Sequence, residues 1–255
     1  MKKPKLKLQL LYEEPVELNP KKIKKSDDFK TMGLDILDKE KNNFTMEIED
    51  QIDVNFKWKK KKADIDLDFL KKQSELTKGL ENWIQRDKAY EAARDHTFVV
   101  DVKGESSAWD TKIEKVCSLF LASCLGIYTE SPLAVHIPQT GLVIPIEDFH
   151  TFILGNMGDL LLASGWFNII LDEKSDDITV YTKGVAALGE RDIELTMPKS
   201  EWEHAHNFVR NIAVYSLSTK LRKGDTTVDL NNKPYTIQRK YSDYLDYGVL
   251  ELMKG

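Results

Sequence analysis

Apolar residues in this chain recur at two spacings that interleave with no fixed repeat, and this mixture limits the possible folds more than any motif does. Lys5 to Tyr12 places Leu6, Leu8 and Leu10 at every second position, as in a half-buried strand. Phe44 to Glu49 and Ile52 to Trp58 alternate in the same way and are close enough to pair as a hairpin. Between Asp66 and Arg94 the interval changes, and Phe69, Leu76, Leu80, Trp83 and Ile84 follow a helical period. Thr97 to Val102 reads as a strand. Trp109, Ile113, Val116, Phe120, Cys124 and Ile127 predict a helix, with Gly126 placed as its stop.

Farther along, Leu133 to Ile137 and Gly141 to Ile144 read as short strands, and Pro145 opens a short helix. Gly165 to Leu171 is nearly all apolar, as expected of a central strand covered on both faces. The polar turn Asp172 to Asp177 leads into Ile178 to Thr182, the second arm of a hairpin. Asn19-Pro20 predicts one helix start, and Ser200 with Glu203 predicts another through a capping box. The pattern predicts an α/β fold of the α+β kind, a mixed and largely antiparallel sheet with helices packed on it. Residues 1–62 would form a strand, helix and hairpin integral to the same domain, and residues 63–255 the main α/β domain.

Composition narrows the function classes. With 41% hydrophobic and 31% charged residues, the 255-residue chain is neither disordered nor membrane-like. Its formal charge of −5 disfavours nucleic acid as a ligand, because duplex-binding domains carry a basic excess. The first 62 residues hold 16 Lys and Arg against 12 Asp and Glu, clustered at Lys21 to Lys25 and Lys57 to Lys62; the remainder carries −9. Two cysteines exclude a disulfide scaffold and fit a reducing, cytoplasmic setting. No run approaches the ~20 apolar residues of a membrane span.

From His96 to Thr227 the order of features resembles a bacterial family, the domain of unknown function 4261 (DUF4261). The resemblance is carried by the His96-Thr97-Phe98-Val99-Val100 strand, the helix ending near Gly126, the Pro145 helix and the Gly165-Trp166 strand. It is most specific from Tyr181 to Glu194 and continues through the Ser200 helix to Asp225-Thr226. It spans about half of the chain. The resemblance implies a bacterial domain sometimes encoded near toxin and immunity genes, and it implies no reaction.

The candidate site residues follow from local chemistry. Gly184 and Gly189 permit sharp turns after Thr182, and ligands commonly sit at strand ends in open sheets. Strand parity puts Asp192 and Glu194 on one face together with Glu190, where three carboxylates could meet a basic partner or a hard cation, or lie solvated. Asp225 and Thr226 after Gly224 fit a tight turn or a second contact. Lys57, Trp58, Lys59, Lys60, Lys61 and Lys62 form a basic, aromatic cluster, read as a solvated hairpin edge or a contact for phosphates.

The remaining reactive residues lack companions. His204 and His206 stand about 200° apart on a helix, so they cannot share a ligand. Glu201 and His204 lack the second pair that a carboxylate-bridged metal bundle needs. His96 has no nucleophile beside it, and Cys117 and Cys124 read as small buried hydrophobes. No catalytic set, cofactor motif or metal motif is present. The expectation is a non-enzymatic protein-binding domain, with an immunity or adaptor role as its sharpest form. The alternatives are a metal-dependent hydrolase using Glu190, Asp192, Glu194 and Asp225 with His96 as base, and a structural subunit of a larger assembly.

Overall fold

Two sheets, built from successive halves of the chain, share one hydrophobic core. The computed structural model describes residues 7–27, 33–48, 52–78, 84–106, 111–155, 163–229 and 231–255. The first sheet contains β1 (Leu8–Tyr12), β2 (Leu34–Glu40), β3 (Asn43–Ile48), β4 (Ile52–Lys59), β5 (Phe98–Ser106), β6 (Ala134–Ile137) and β7 (Leu142–Pro145). Its order is β2-β3-β4-β5-β1-β6-β7, with every neighbouring pair antiparallel. The second holds β8 (Asn168–Lys174), β9 (Asp177–Lys183), β10 (Ile193–Pro198), β11 (Thr226–Val228), β12 (Pro234–Tyr241) and β13 (Gly248–Lys254). It runs β11-β12-β13-β10-β9-β8, with β10 and β13 its one parallel pair. The architecture is α+β. Strands from both sides of residue 62 lie in the first sheet.

Six helices occur among the described residues: α1 (Pro20–Lys24), α2 (Leu67–Leu76), α3 (Arg86–Asp95), α4 (Lys112–Thr129), α5 (Ile146–Gly155) and α6 (Ala205–Ser218). None is long and apolar enough to cross a membrane. In β3 and β4 the alternation works as expected: Phe44, Met46, Val54, Phe56 and Trp58 are buried while their neighbours face outward. Asn19 caps α1 by accepting from the Lys21 and Lys22 amides. The α4 helix packs against β1, β4 and β5, and Phe120 joins it to Phe149 of α5 and to Trp166.

Several sequence expectations need correction. All five residues of β1 are buried, so it is not half-solvated: α4 packs on it, and its one polar side chain, Gln9, is bonded to Asp101 and His136 of the neighbouring strands. Gly126 lies inside α4 and stops nothing. A Cβ there would come within 2.9 Å of both Leu10 and Phe56, so the glycine lets the helix lie close on the sheet. The start of α4 is a capping box that the periodicity overran: Thr111 Oγ1 accepts from the Glu114 amide, and Glu114 Oε2 accepts from the Thr111 amide. The α6 helix begins later than Ser200: a 3-10 turn, Lys199–His204, leads into it, and no side chain caps its first turn at His204; the expected Ser200–Glu203 box involves the Glu203 side chain, which lies outside the described residues. The Asp66–Arg94 pattern holds two helices, with residues 79–83, including Leu80 and Trp83, outside the described residues, as is Trp109.

Although β8 is an edge strand, its apolar run is still satisfied, because α2 and α3 cover the open edge. The Gln73 amide donates to Leu171 O (2.8 Å) and accepts from Leu171 N–H (3.0 Å), as a neighbouring strand would.

Candidate functional site

The chain leaves β9 through the segment that the sequence singled out. Gly184, at φ +123°, turns it into a 3-10 turn, Val185–Leu188, which Gly189 closes at φ +109°. A Cβ on Gly184 would stand 2.4 Å from Thr140 Cγ2 and 3.2 Å from Phe167 Cα, so packing and backbone angle both require glycine. Asp192 reaches back over this turn. Its Oδ1 accepts from the Thr182 hydroxyl (2.9 Å) and the Val185 amide (3.0 Å). Its Oδ2 accepts from the Ala186 amide (3.3 Å) and the Tyr247 hydroxyl (2.8 Å). Thr182 Oγ1 in turn accepts from the Ile193 amide at 2.9 Å. Burial pushes the Asp192 carboxyl above its ordinary range in spite of these donors, and burial beside Asp192 pushes the Tyr247 phenol up as well.

Strand parity correctly puts Asp192 and Glu194 on one face, yet that face is closed. Both side chains are fully buried. The connection from β12 to β13, residues 242–247, folds over them: Ser242 Oγ donates to Glu194 Oε2 (2.8 Å), and Tyr247 caps Asp192. Lys240 Nζ pairs with Glu194 Oε1 and reaches Glu251 Oε1 at 3.2 Å. Tyr244 stacks on Tyr181 with ring centroids 4.8 Å apart, and Leu245, Ile170 and Val249 complete a small apolar cluster there.

The expected three-carboxylate surface is therefore an interior polar layer, and an ammonium already occupies the place a cation would take. Glu190 is half-buried after the turn, with no bond to Asp192 or Glu194 among the described residues. Asp225 is exposed and accepts from the Arg222 amide at 2.7 Å, which is a local turn contact. Thr226 begins β11, separated from β10 by two strands, so these two do not join the group. Among the described residues no group of three His, Cys, Asp or Glu side chains is arranged to hold a metal ion.

The lysine cluster also divides. β4 is flanked by β3 and β5, so Lys57 to Lys59 do not border a free edge; the edge strands of this sheet are β2 and β7. Trp58 is buried and meets Phe44 edge-on at 6.0 Å, which removes it as a base-stacking surface. Lys59 pairs with Asp101 at 3.0 Å, and Lys62 donates to Arg94 O at 2.7 Å. Lys57, Lys60 and Lys61 are exposed.

Both ring nitrogens of the buried His96 are engaged. Nδ1–H donates to Ala93 O and Nε2 accepts from the Ala63 amide, each at 2.7 Å, so no lone pair is left for base catalysis. Glu201 pairs with Lys233 (2.9 Å) and Lys254 (3.3 Å). Cys117 is buried, and burial pushes the Cys124 thiol up to about 11, the reverse of an activated nucleophile.

What periodicity missed is a cleft of ≈ 390 Å³ between the two sheets. The α2 entry (Asp64, Asp66, Phe69), the β6–β7 turn (Pro138, Thr140) and the β9 face with Tyr181, Lys183 and Tyr244 line it. Gly184 matters here because its contact with Thr140 lets the turn lie against the second sheet. His136, on the cleft wall, donates through Nδ1 to Gln9 Oε1 (2.9 Å), and Gln9 Nε2 donates to Asp101 Oδ1 (2.7 Å). Burial, reinforced by the fields of His96 and Lys7, pushes His136 down to about 3, so the ring is neutral. Burial alone would raise the Asp101 carboxyl, but the Gln9 bond with Lys59 and Lys7 holds it below its ordinary range. A signal did exist in the sequence: Gln9, Asp101 and His136 each interrupt an otherwise apolar strand. Comparisons of the chain with protein-family models, with curated proteins and with solved structures find no match.

Proposed function

We propose that this chain works by recognising another protein, and that the cleft between its sheets is the recognition surface. The observation that carries this reading is the contrast between its reactive groups and its cleft. Asp192, Glu194, His96 and Glu201 are each held by internal partners, whereas the cleft is lined by the half-buried Phe69 and Tyr244 side chains, with Asp64 and Lys183 beside them. Partly exposed aromatic side chains among separated charges suit an extended peptide segment, and the volume lies within the range of ligand-binding clefts. The resemblance of residues 96–227 to the bacterial family supports the sharper version, an immunity or adaptor protein whose partner is encoded nearby. A carboxylate-based hydrolase would need Asp192 and Glu194 free, and their bonds oppose it.

The test uses affinity capture from the native host with the wild-type chain and with the double reversal Asp64→Lys, Lys183→Glu. A partner bound in fixed stoichiometry by the wild type and lost by the reversal supports the proposal. Equal capture by both moves the interface elsewhere. Substrate turnover by the purified chain, abolished by Asp192→Asn or Glu194→Gln without unfolding, would replace the binding reading with an enzymatic one.

A further inference from the structure

We infer that the space enclosed by the start of α3, the start of β8 and the first turns of α6 is a binding site for one small monovalent anion of halide size. The side chain at its centre is Arg86, 6% exposed and at the first position of α3. Its Nη2 donates to Asn168 Oδ1 (3.0 Å) and to Ile169 O (3.2 Å), and both acceptors are neutral. Nε and Nη1 of the same guanidinium have no hydrogen-bond partner, nor has Nδ2 of the fully buried Asn168, nor Nε2 of His206. Arg210, one turn beyond His206 on α6 and half-buried, completes the lining. Asp148 of α5 meets the preceding residue instead: its two oxygens are bonded to Gln85, at 2.6 Å to the amide and 2.8 Å to the side chain. No carboxylate meets Arg86 or Arg210 among the described residues.

A protein interior does not normally hold a guanidinium without a counter-charge, because the desolvation of the ion is then unanswered. Burial lowers Arg86 to about 10, which leaves it charged at neutral pH. Burial, with the fields of Arg86 and Arg210, pushes His206 down to about 4 in spite of its side-chain bond with Asn207, so that ring is neutral and adds no competing charge. The free donors of Arg86 on α3 and Asn168 on β8 thus meet at a space with two positive groups on its wall. A water molecule could take up the hydrogen bonds but would leave the charge unanswered. The space is ≈ 10 Å³, room for about one water-sized particle. Phosphate or a carboxylic acid would not fit without extensive rearrangement, whereas a monatomic halide, only slightly larger than water, needs the least. Phe167 and Leu142 provide an apolar remainder of the wall.

The experiment is thermal unfolding of the full chain, titrated with sodium chloride against sodium gluconate at constant ionic strength and accompanied by ³⁵Cl NMR linewidths. A saturable rise in midpoint with chloride alone is expected, about 5 °C or more at a hundredfold excess over Kd, with excess ³⁵Cl broadening that bromide displaces. Arg86→Gln should lose both responses, and Arg210→Gln should weaken them. Identical melting in the two salts, absent ³⁵Cl broadening in the wild type, or an unchanged chloride response in Arg86→Gln would overturn the inference. Should Arg86→Gln fail to fold, the wild-type linewidths and the Arg210→Gln titration decide it alone.

Discussion

Gln73 on α2 and Leu171 on β8, 98 residues apart, are joined by two antiparallel hydrogen bonds, so that one side-chain amide stands in for a missing strand. Both groups are buried. Replacing Gln73 with Leu would leave the Leu171 amide and carbonyl unsatisfied and should cost on the order of 2–4 kcal/mol. Urea unfolding measures this. A loss below about 0.5 kcal/mol would mean that the edge does not depend on the side chain. The open edge should also raise the tendency of the variant to aggregate.

Acid should destabilise the fold through its buried rings. His136 and His206 carry folded values near 3 and 4 against an ordinary 6.5. A base whose folded value is depressed contributes its full stability above the unfolded value and loses it as pH falls toward the folded one. From pH 6.5 to pH 5 each ring should therefore cost roughly 2 kcal/mol. Asp192 acts with the opposite sign, since its folded value is raised, and cannot produce an acid loss. Urea midpoints between pH 7 and pH 5 should fall less steeply in the double variant His136→Asn, His206→Asn than in the wild type; parallel slopes would remove the two rings as the cause.

The two glycines that flank the 3-10 turn should separate strain from collision. Both have positive φ, but a Cβ at Gly189 meets only Lys112 Cδ, at 3.8 Å, whereas one at Gly184 strikes Thr140. Gly189→Ala should cost about 1 kcal/mol. Gly184→Ala should cost clearly more, because the β6–β7 turn must also move. Equal midpoints for the two variants would show that the turn yields freely.

Within the basic cluster, stability should rest on the one aromatic residue. Trp58→Ala opens a hole beside Phe44 and should cost about 3 kcal/mol. Lys60→Glu with Lys61→Glu, both at exposed positions, should shift the midpoint by less than about 0.5 kcal/mol. Denaturant unfolding distinguishes the two, and the reverse ranking would return Trp58 to the surface.

Local patterns were legible where one periodicity ruled. The β3–β4 and β8–β9 hairpins, the Asn19 cap and the apolar stripe of α4 all follow from spacing that neighbouring elements reinforce. The failures share a physical cause. Gly126 carries the same letter whether it ends a helix or admits a sheet, and only Leu10 and Phe56, far off in sequence, decide between them. The common face of Asp192 and Glu194 was readable from parity, but its burial depends on residues 242–247 folding back over it. Lys59 and Trp58 looked like a patch because they are adjacent in the chain; pleating sends one outward and the other into the core. The cleft and the Arg86 space arise where elements remote in sequence meet, so no window of residues contains them.

The position of β1 inside its sheet, between β5 and β6, bears on how the protein is made. Gln9 must find His136, 127 residues later, before that ladder can close. At a ribosomal rate of about 5–20 residues per second, roughly 6–25 s pass in which Leu8, Leu10 and Leu11 have been translated while one of their flanking strands has not. During that interval the nascent chain exposes a mostly apolar strand with one side of its ladder open, which makes holdase chaperones its natural companions and early truncation products prone to self-association.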